Sequence, residues 1–304
     1  MVSVTQLQYI LAVEKEQNFH RAAKACFVTQ PTLSKMIKNL EEDLGVAIFD
    51  RSKSPVAPTL VGKSILKQAK QALYDIERIR EIVDEQKGEI RGELKVGIIP
   101  TIAPYLVPNF LASFRSQYPA VELSIWELTT ENCLQALDKE QIDLAILATE
   151  ENKQNYYQEA LYDEAMYLYI NEKHPLAKRT RIHIDDLEAD QMWLLEEGHC
   201  LRDEIIKLCH LRRLEANRPL GLDIKIGNLE SLRYLVQENF GYTLLPELSA
   251  IRLPAKEKKL LRTFNKPIPF RSVNLTMRRR YLKQASIQAL KAEILTNTKK
   301  QLKL

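Results

Sequence analysis

The stretch FHRAAKACFVTQPTLSKMIKNLEEDLG, residues 19–45, decides how the chain begins. Asn18 stands before it as a candidate cap for a short helix, and Ala22, Ala23 and Ala25 are small enough to let a second helix approach closely. Thr29 is placed to cap that second helix, Pro31 suits its first turn and Gly45 ends it. Leu33, Met36, Ile37, Leu40 and Leu44 recur along it at helical spacing. This is the layout of a helix-turn-helix, whose second helix enters the major groove of DNA by its N-terminal end. Gln30, Pro31, Thr32, Ser34 and Lys35 occupy that end. Gln and Ser side chains can read base edges. Lys35, Lys38 and, further on, Arg51 and Lys53 can neutralise phosphates.

Working outward, VTQLQYILAVEKE places Leu7, Ile10 and Leu11 on one face of a preceding helix. VAIFDRSKSPVAPTLVG follows Gly45, and its two prolines suit a small β wing. Residues 20–70 hold nine Lys or Arg against four acids, a local excess that suits a polyanion or a solvated basic face. Residues 60–87 then read as one long amphipathic helix with Leu66, Ala69, Leu73, Ile76, Ile79 and Val83 along one side. Such a helix needs a partner, which predicts dimerisation through it; packing on its own domain is the alternative. GEIRGE, residues 88–93, reads as a hinge.

Beyond the hinge the texture alternates. ELKVGIIP, VELSIWEL, DLAILAT, MYLYI, MWLLEE, LDIKIGN, YTLLPE and VNLTM read as strands, with helices between them and at the C-terminus. The expected fold class is α/β: a winged helix-turn-helix over residues 1–59, a linker helix and hinge over 60–91, and a regulatory domain over 92–304. That domain is long enough for two subdomains, one of about 92–162 with 268–304 and the other of about 163–267, with a ligand cleft between them.

The chain has 304 residues and a formal net charge of +4. It has no apolar run of membrane-spanning length, and MVSVTQLQYILAVEKE meets acidic residues too early for a secretory signal, so a cytoplasmic location is expected. Its four cysteines form no C-x-x-C and do not make a disulfide framework; its five histidines show no metal spacing, and no cofactor is expected. Two of the cysteines bound one short stretch, GHCLRDEIIKLC, residues 198–209. If residues 200–209 are helical, the Cα atoms of Cys200 and Cys209 lie about 13–14 Å apart and the side chains on opposite faces. A disulfide needs roughly 4.4–6.8 Å. The bond and an intact helix therefore exclude each other. Cys200, behind Gly198 and His199 at a helix start, is the better nucleophile, because unpaired backbone N–H groups there favour a thiolate. Both cysteines also read as small buried hydrophobes, as do Cys26 and Cys133.

The run Ala22-Ala23, Pro31-Thr32-Leu33-Ser34, Ile37, Leu40-Glu41, Leu44-Gly45, Ile48-Phe49 and Arg51, followed by Thr59 and Gly62, closely resembles the LysR-type transcriptional regulators. The resemblance covers the whole chain. It implies a winged helix-turn-helix, a linker helix and a two-part effector domain resembling periplasmic binding proteins. It also implies a homodimer to homotetramer, an inverted-repeat DNA operator and contact with RNA polymerase.

EEGHCLRDEIIKLC, together with IIPTIAPYLVP, LESLR and YTLLPEL, resembles the redox segment of the peroxide-sensing members of that family. The resemblance implies that Cys200 is the peroxidatic cysteine and Cys209 the resolving one. It implies that Thr101, Thr130, His199 and Arg271 surround the peroxide, and that a thiol reductant resets the bond. Such a protein consumes peroxide once per reduction cycle and is not an enzyme. Cys133 stands where that pattern has no thiol and could compete, and the 210–223 segment has no trusted counterpart. A regulator holding a small metabolite in the cleft, through Thr101 and Thr130, is the alternative; a thiol peroxidase has no use for a helix-turn-helix.

Overall fold

Local hydrogen bonding sets the first helices. Ser3 and Gln6 cap α1 (Val4–Glu16) reciprocally, the Ser3 hydroxyl accepting from Gln6 N and the Gln6 side chain from Ser3 N. The Asn18 side chain accepts from the backbone of His20 and Arg21 at the start of α2 (Phe19–Ala25). The Thr29 hydroxyl accepts from Thr32 N at the start of α3 (Gln30–Leu44), and Gly45 closes that helix with φ +67°. The caps and the stop expected from the sequence all form. Leu33, Ile37 and Leu40 are fully buried, with Ile10, Val13, Ala22 and Ala23 around them, whereas Leu44 is exposed. The wing is a two-residue antiparallel pair, β1 (Phe49–Asp50) with β2 (Ala57–Pro58). Thr59 ties it to the next helix, donating to Ala47 O at 2.8 Å and accepting from Gly62 N. Gly62 is required there, because a Cβ would lie 2.0 Å from the Ile48 carbonyl oxygen. α4 (Leu60–Gln86) buries Leu66 and Ala69 in this core, but Ile76, Ile79 and Val83 further along are exposed.

The computed structural model describes residues 2–86, 90–149, 155–209, 224–278, 283–298 and 301–302. Two units separate, Met1–Gly88 and Glu89–Leu304. The second is built on parallel β-α-β crossovers: β3 (Gly92–Ile98), α5 (Ala103–Gln117), β4 (Val121–Glu127), α6 (Thr130–Asp138) and β5 (Leu144–Leu147), with β3 pairing both β4 and β5 in parallel. β6 (Tyr157–Ile170) is long enough to serve both halves of the unit. β7 (Arg181–Ile182), α7 (Cys200–Leu208), α8 (Leu229–Glu238), β8 (Tyr242–Pro246), α9 (Glu247–Ile251), α10 (Ala255–Lys258) and β9 (Leu261–Phe264) follow. β10 (Phe270–Met277) then returns antiparallel between β5 and β6, and α11 (Gln284–Thr298) ends the fold. Residues 157–165 of β6 run beside β10, with a register shift after Ala160, while 166–170 pair with β8. The core runs continuously past this passage, from Phe110 and Leu144 to Tyr169, Trp193 and Tyr242.

Two expected strands differ. MWLLEE, residues 192–197, makes one isolated bridge from Met192 to Tyr242 and one bond from Trp193 N to Tyr242 O, too little to propagate a ladder. Of LDIKIGN, residues 224–228 are described and form no strand; Ile226 O accepts from Glu196 N at 2.8 Å. Residues 192–195 are buried without a pairing edge, and of residues 224–228 only Ile226 is buried, so the apolar side chains do not add up to a strand in either segment. The expected 210–223 segment, the last residue of the expected long helix (87) and part of the expected hinge (88–89) lie outside the described residues.

Candidate functional site

In the first unit the N-terminal turn of α3 stands clear of the core. Gln30, Pro31, Thr32, Lys35 and Lys38 are exposed and Ser34 is half-buried. The two cations expected on the wing are engaged: Arg51 Nη2 lies 2.9 Å from Glu41 Oε2, and Lys53 lies 3.7 Å from Asp50. Glu41 also accepts from Ile48 N and Phe49 N, so it anchors the wing while partly neutralising Arg51. The Arg51 guanidinium further rests over the Phe19 ring, 5.0 Å from its centroid.

In the second unit the centre of the arrangement is Arg271. The sheet register sets Arg271 of β10 directly across from Glu164 of β6. Their side chains form a buried pair, Arg271 Nε donating to Glu164 Oε1 at 2.8 Å. The fork's remaining donors reach the loop between β3 and α5: Nη1 to Thr101 Oγ1 and Nη2 to Thr101 O, each at 3.1 Å. Glu164 Oε2 accepts from Leu248 N at 3.0 Å, which fixes the carboxylate from its other side. Burial disfavours the Arg271 cation, but Glu164, Glu204, Cys200 and Tyr162 outweigh that and hold it charged. Arg271 is thus no exposed strand charge.

Cys200 is the first residue of α7, and Cys209 follows the last, accepting the role of C-cap. Gly198 makes the entry possible, with φ +96° two residues before the sulfur. Both thiols are free and both are buried, Cys200 at 7 % and Cys209 at 8 % exposure. They face different neighbours. Cys200 interacts with Glu204, Arg271 and Thr130, whereas Cys209 interacts with Tyr242. The helix start does favour a Cys200 thiolate through the Leu201 N–H, and Arg271 and Thr130 add to it. Burial and the Glu204 carboxylate win nonetheless and push the thiol up to about 11. Burial pushes Cys209 and Cys133 up to about 12, with Cys200 itself a further contributor at Cys133. Cys133 donates to Leu128 O at 3.7 Å, as a core thiol does.

Thr101, Thr130, Arg271 and Cys200 are therefore brought together from four separate elements. His199 is buried beside Cys200 in sequence, and burial, opposed by Glu196, pulls its pKa down and keeps the ring neutral. Sequence reasoning missed Glu164, Glu204 and Tyr162. Glu204 lies one turn after Cys200, a spacing that signals a shared helix face; nothing local marks the other two. Among the described residues, Thr130 Oγ1, Glu204 Oε2 and Tyr162 OH around this cluster are buried with no hydrogen-bond partner. Thr130 nevertheless sits close enough to Cys200 to favour the thiolate, without a bond of good geometry. Thr130 and Glu204 act on the Cys200 thiol and Tyr162 on Arg271, and such orphaned atoms suit a small polar molecule that supplies what the protein does not. Among the described residues no helix is long and apolar enough to cross a membrane, and no cluster of His, Cys, Asp or Glu could hold a metal ion.

Comparison with known proteins matches residues 4–63 to the family described as bacterial regulatory helix-turn-helix protein, lysR family, and residues 87–299 to the LysR substrate binding domain. A hydrogen peroxide-inducible genes activator of Pectobacterium carotovorum is 34% identical over 91% of this chain and 90% of its own length. Full-length OxyR of Pseudomonas aeruginosa, in a cysteine-to-aspartate variant, superposes with a TM-score of 0.74 at 32% identity, covering 97% of this chain and 98% of that one. A hydrogen-peroxide-bound cysteine-to-serine mutant of Corynebacterium glutamicum OxyR gives 0.63 at 28% identity, covering 98% and 95%.

Proposed function

Because this chain belongs to the lysR family of DNA-binding bacterial regulators, we propose that it is a transcription regulator that senses hydrogen peroxide by a reversible disulfide between Cys200 and Cys209. The observation that carries the reading is the company of Cys200: a buried cation, two threonines and orphaned polar atoms around one thiol. The Cys200 thiol gives up its proton, the thiolate attacks one peroxide oxygen, the O–O bond breaks, and Cys200 becomes a sulfenic acid as the second oxygen leaves as hydroxide and takes up that proton as water. Thr101 and Thr130 hold the peroxide, Arg271 stabilises the charge that develops, and neutral His199 closes the site over it. The Cys209 thiol then condenses with the sulfenic acid and releases a second water. α7 cannot survive this, because its two ends must meet. The covalent bond biases a two-state element, and a thiol reductant returns it.

The readout is at DNA. Gln30, Pro31, Thr32, Ser34 and Lys35 read the operator, an inverted repeat, with Lys38, Arg51 and Lys53 at the phosphates. Dimers form through α4, where Ile76, Ile79 and Val83 are uncovered in the single chain. Pairs of dimers form through the regulatory domains, and remodelling of α7 alters the spacing of the DNA-binding heads and their contact with RNA polymerase. The domains run 1–59, 60–91 and 92–304.

The test is near-stoichiometric peroxide on the reduced protein, with disulfide mapping by mass spectrometry and an operator footprint. The expected result is a Cys200–Cys209 bond with a changed footprint, abolished by Cys200→Ser and trapped as a sulfenic acid in Cys209→Ser. An unoxidised Cys200 and an unaltered footprint would leave only a regulator with a different trigger.

A further inference from the structure

The Cys200 thiol is held protonated by its burial, so its reaction needs somewhere for the proton to go. Bulk solvent has little access to the residue, which is 7 % exposed. The neighbouring threonine hydroxyls are neutral and poor acceptors. Arg271 has no acceptor at all. Glu204, and not His199, stands among the groups whose charge acts on Cys200, and Glu164 is occupied on both oxygens by Arg271 and Leu248 N.

One carboxylate remains. Glu204 follows Cys200 by four residues on α7, so the two side chains lie one above the other on the same helix face. Its Oε2 is buried and has no hydrogen-bond partner among the described residues. The groups around it are Arg271 of β10, Glu164 of β6 and, on its own helix, Cys200, Asp203 and Lys207. Arg271 thus faces Glu164, Glu204 and Cys200 at once, one cation among three groups that can be anionic. Such a site resists holding all three charges, and a shared proton is the relief.

We propose that Glu204 takes the Cys200 thiol proton as peroxide is attacked and returns it to the departing peroxide oxygen. This rests on the peroxide reading of Cys200 and deepens it. The sequence balances without a further reactant. The proton moves from sulfur to the Glu204 carboxylate, the sulfur attacks one oxygen of HO–OH and is oxidised by two electrons. The O–O bond breaks, and the hydroxide that leaves collects the proton from Glu204 as water. Glu204 ends as it began, ready for the Cys209 step. Its own environment supports the role: burial, Glu164 and Asp203 raise it against Arg271 and Lys207, to about 7. That places its proton exchange in the working range of an acid–base group.

The experiment follows Cys200 oxidation in full-length protein by stopped flow, with Cys209→Ser to isolate the first step, across pH 5.5–9.5. Above about pH 7 the pair shares one proton, and moving it from Cys200 to Glu204 changes no net charge. The expected rate therefore rises with pH up to about 7 and is then flat. Glu204→Gln has the same shape and cannot exchange the proton. It is expected to slow oxidation at pH 7 on the order of 10²-fold, and to restore a tenfold rise per pH unit through the whole range. Alkylation of Cys200 by iodoacetamide supplies the control, since iodide leaves without a proton; the variant is expected to alkylate no more slowly than the parent. Parallel slowing of both reactions, or the same pH profile in both proteins, overturns the proposal. If Glu204→Gln fails to fold, the parent profile decides alone: a continued tenfold rise per unit above pH 7 refutes it. Absence of any Cys200 oxidation in the parent takes down the peroxide reading and this inference together, whereas a rapid oxidation with the wrong profile removes only this one.

Discussion

Arg271 is the residue on which structure and chemistry pull in separable directions. Replacing it with methionine removes the bond to Glu164 and both bonds to Thr101, and strands a carboxylate that is fully buried. Breaking one partner of a buried pair costs about 3–5 kcal/mol. Arg271→Met is therefore expected to lower the urea midpoint of the reduced protein by a large fraction of its stability. Glu164→Gln added to it removes the stranded charge. The double variant is expected to recover part of the loss, because the stranded charge is gone while the Gln amide and Thr101 still lack the partners that Arg271 supplied. Cys200 behaves differently. In both variants it loses the cation that opposes its burial, and thiolate population falls about ten- to a thousandfold. Equilibrium unfolding and timed alkylation of Cys200 at pH 8 read the two quantities independently. Recovery of stability without recovery of reactivity is the expected pattern. A single variant with unchanged stability, or a double variant that alkylates like the parent, would falsify the claim that one guanidinium both locks the β6–β10 passage and holds charge at the sulfur.

Three further outcomes follow from the same geometry. Glu204 binds its proton more tightly in the folded protein than its ordinary value of 4.5, at about 7, so its own contribution to stability is greatest below 4.5 and falls as pH rises to about 7. The fall is up to about 3 kcal/mol, less in proportion to the solvent reaching the side chain, and Glu204→Gln should abolish it when unfolding is measured at pH 5 and pH 8. Thr130→Val removes an orphaned buried hydroxyl and should leave thermal stability equal or higher, yet slow Cys200 oxidation about tenfold or more by removing a bond to the thiolate; Thr130→Ser should restore the rate. Gly62→Ala forces a Cβ to 2.0 Å from Ile48 O. It should cost about 1–3 kcal/mol or more, seen as a lowered melting temperature and lost operator binding, with Cys200 chemistry unchanged.

The first unit was legible residue by residue. Asn18, Thr29 and Gly45 act where their chemistry places them, because capping and termination are decided within a few residues along the chain. The span and ends of α7 were equally readable, and with them the incompatibility of helix and disulfide. Where local cues were ambiguous the sequence misled: residues 192–197 and 224–228 are apolar enough for strands but have no continuous edge to pair with.

What the sequence by itself determined was the helix-turn-helix, the long helix after it, the α/β texture and the position of two thiols at the ends of one helix. What only the tertiary structure decided was the environment of the first thiol. Glu164 and Arg271 are 107 residues apart, and they meet because β10 returns antiparallel to β6 in a register no local pattern encodes. Burial then reverses the effect of the helix start on Cys200, turning an expected thiolate into a thiol that needs help to lose its proton. Backbone hydrogen bonds and side-chain periodicity act over one or two turns and can be read along the chain. Desolvation and charge coupling depend on everything within a few ångströms in space, and the chain order does not contain that list until it is folded.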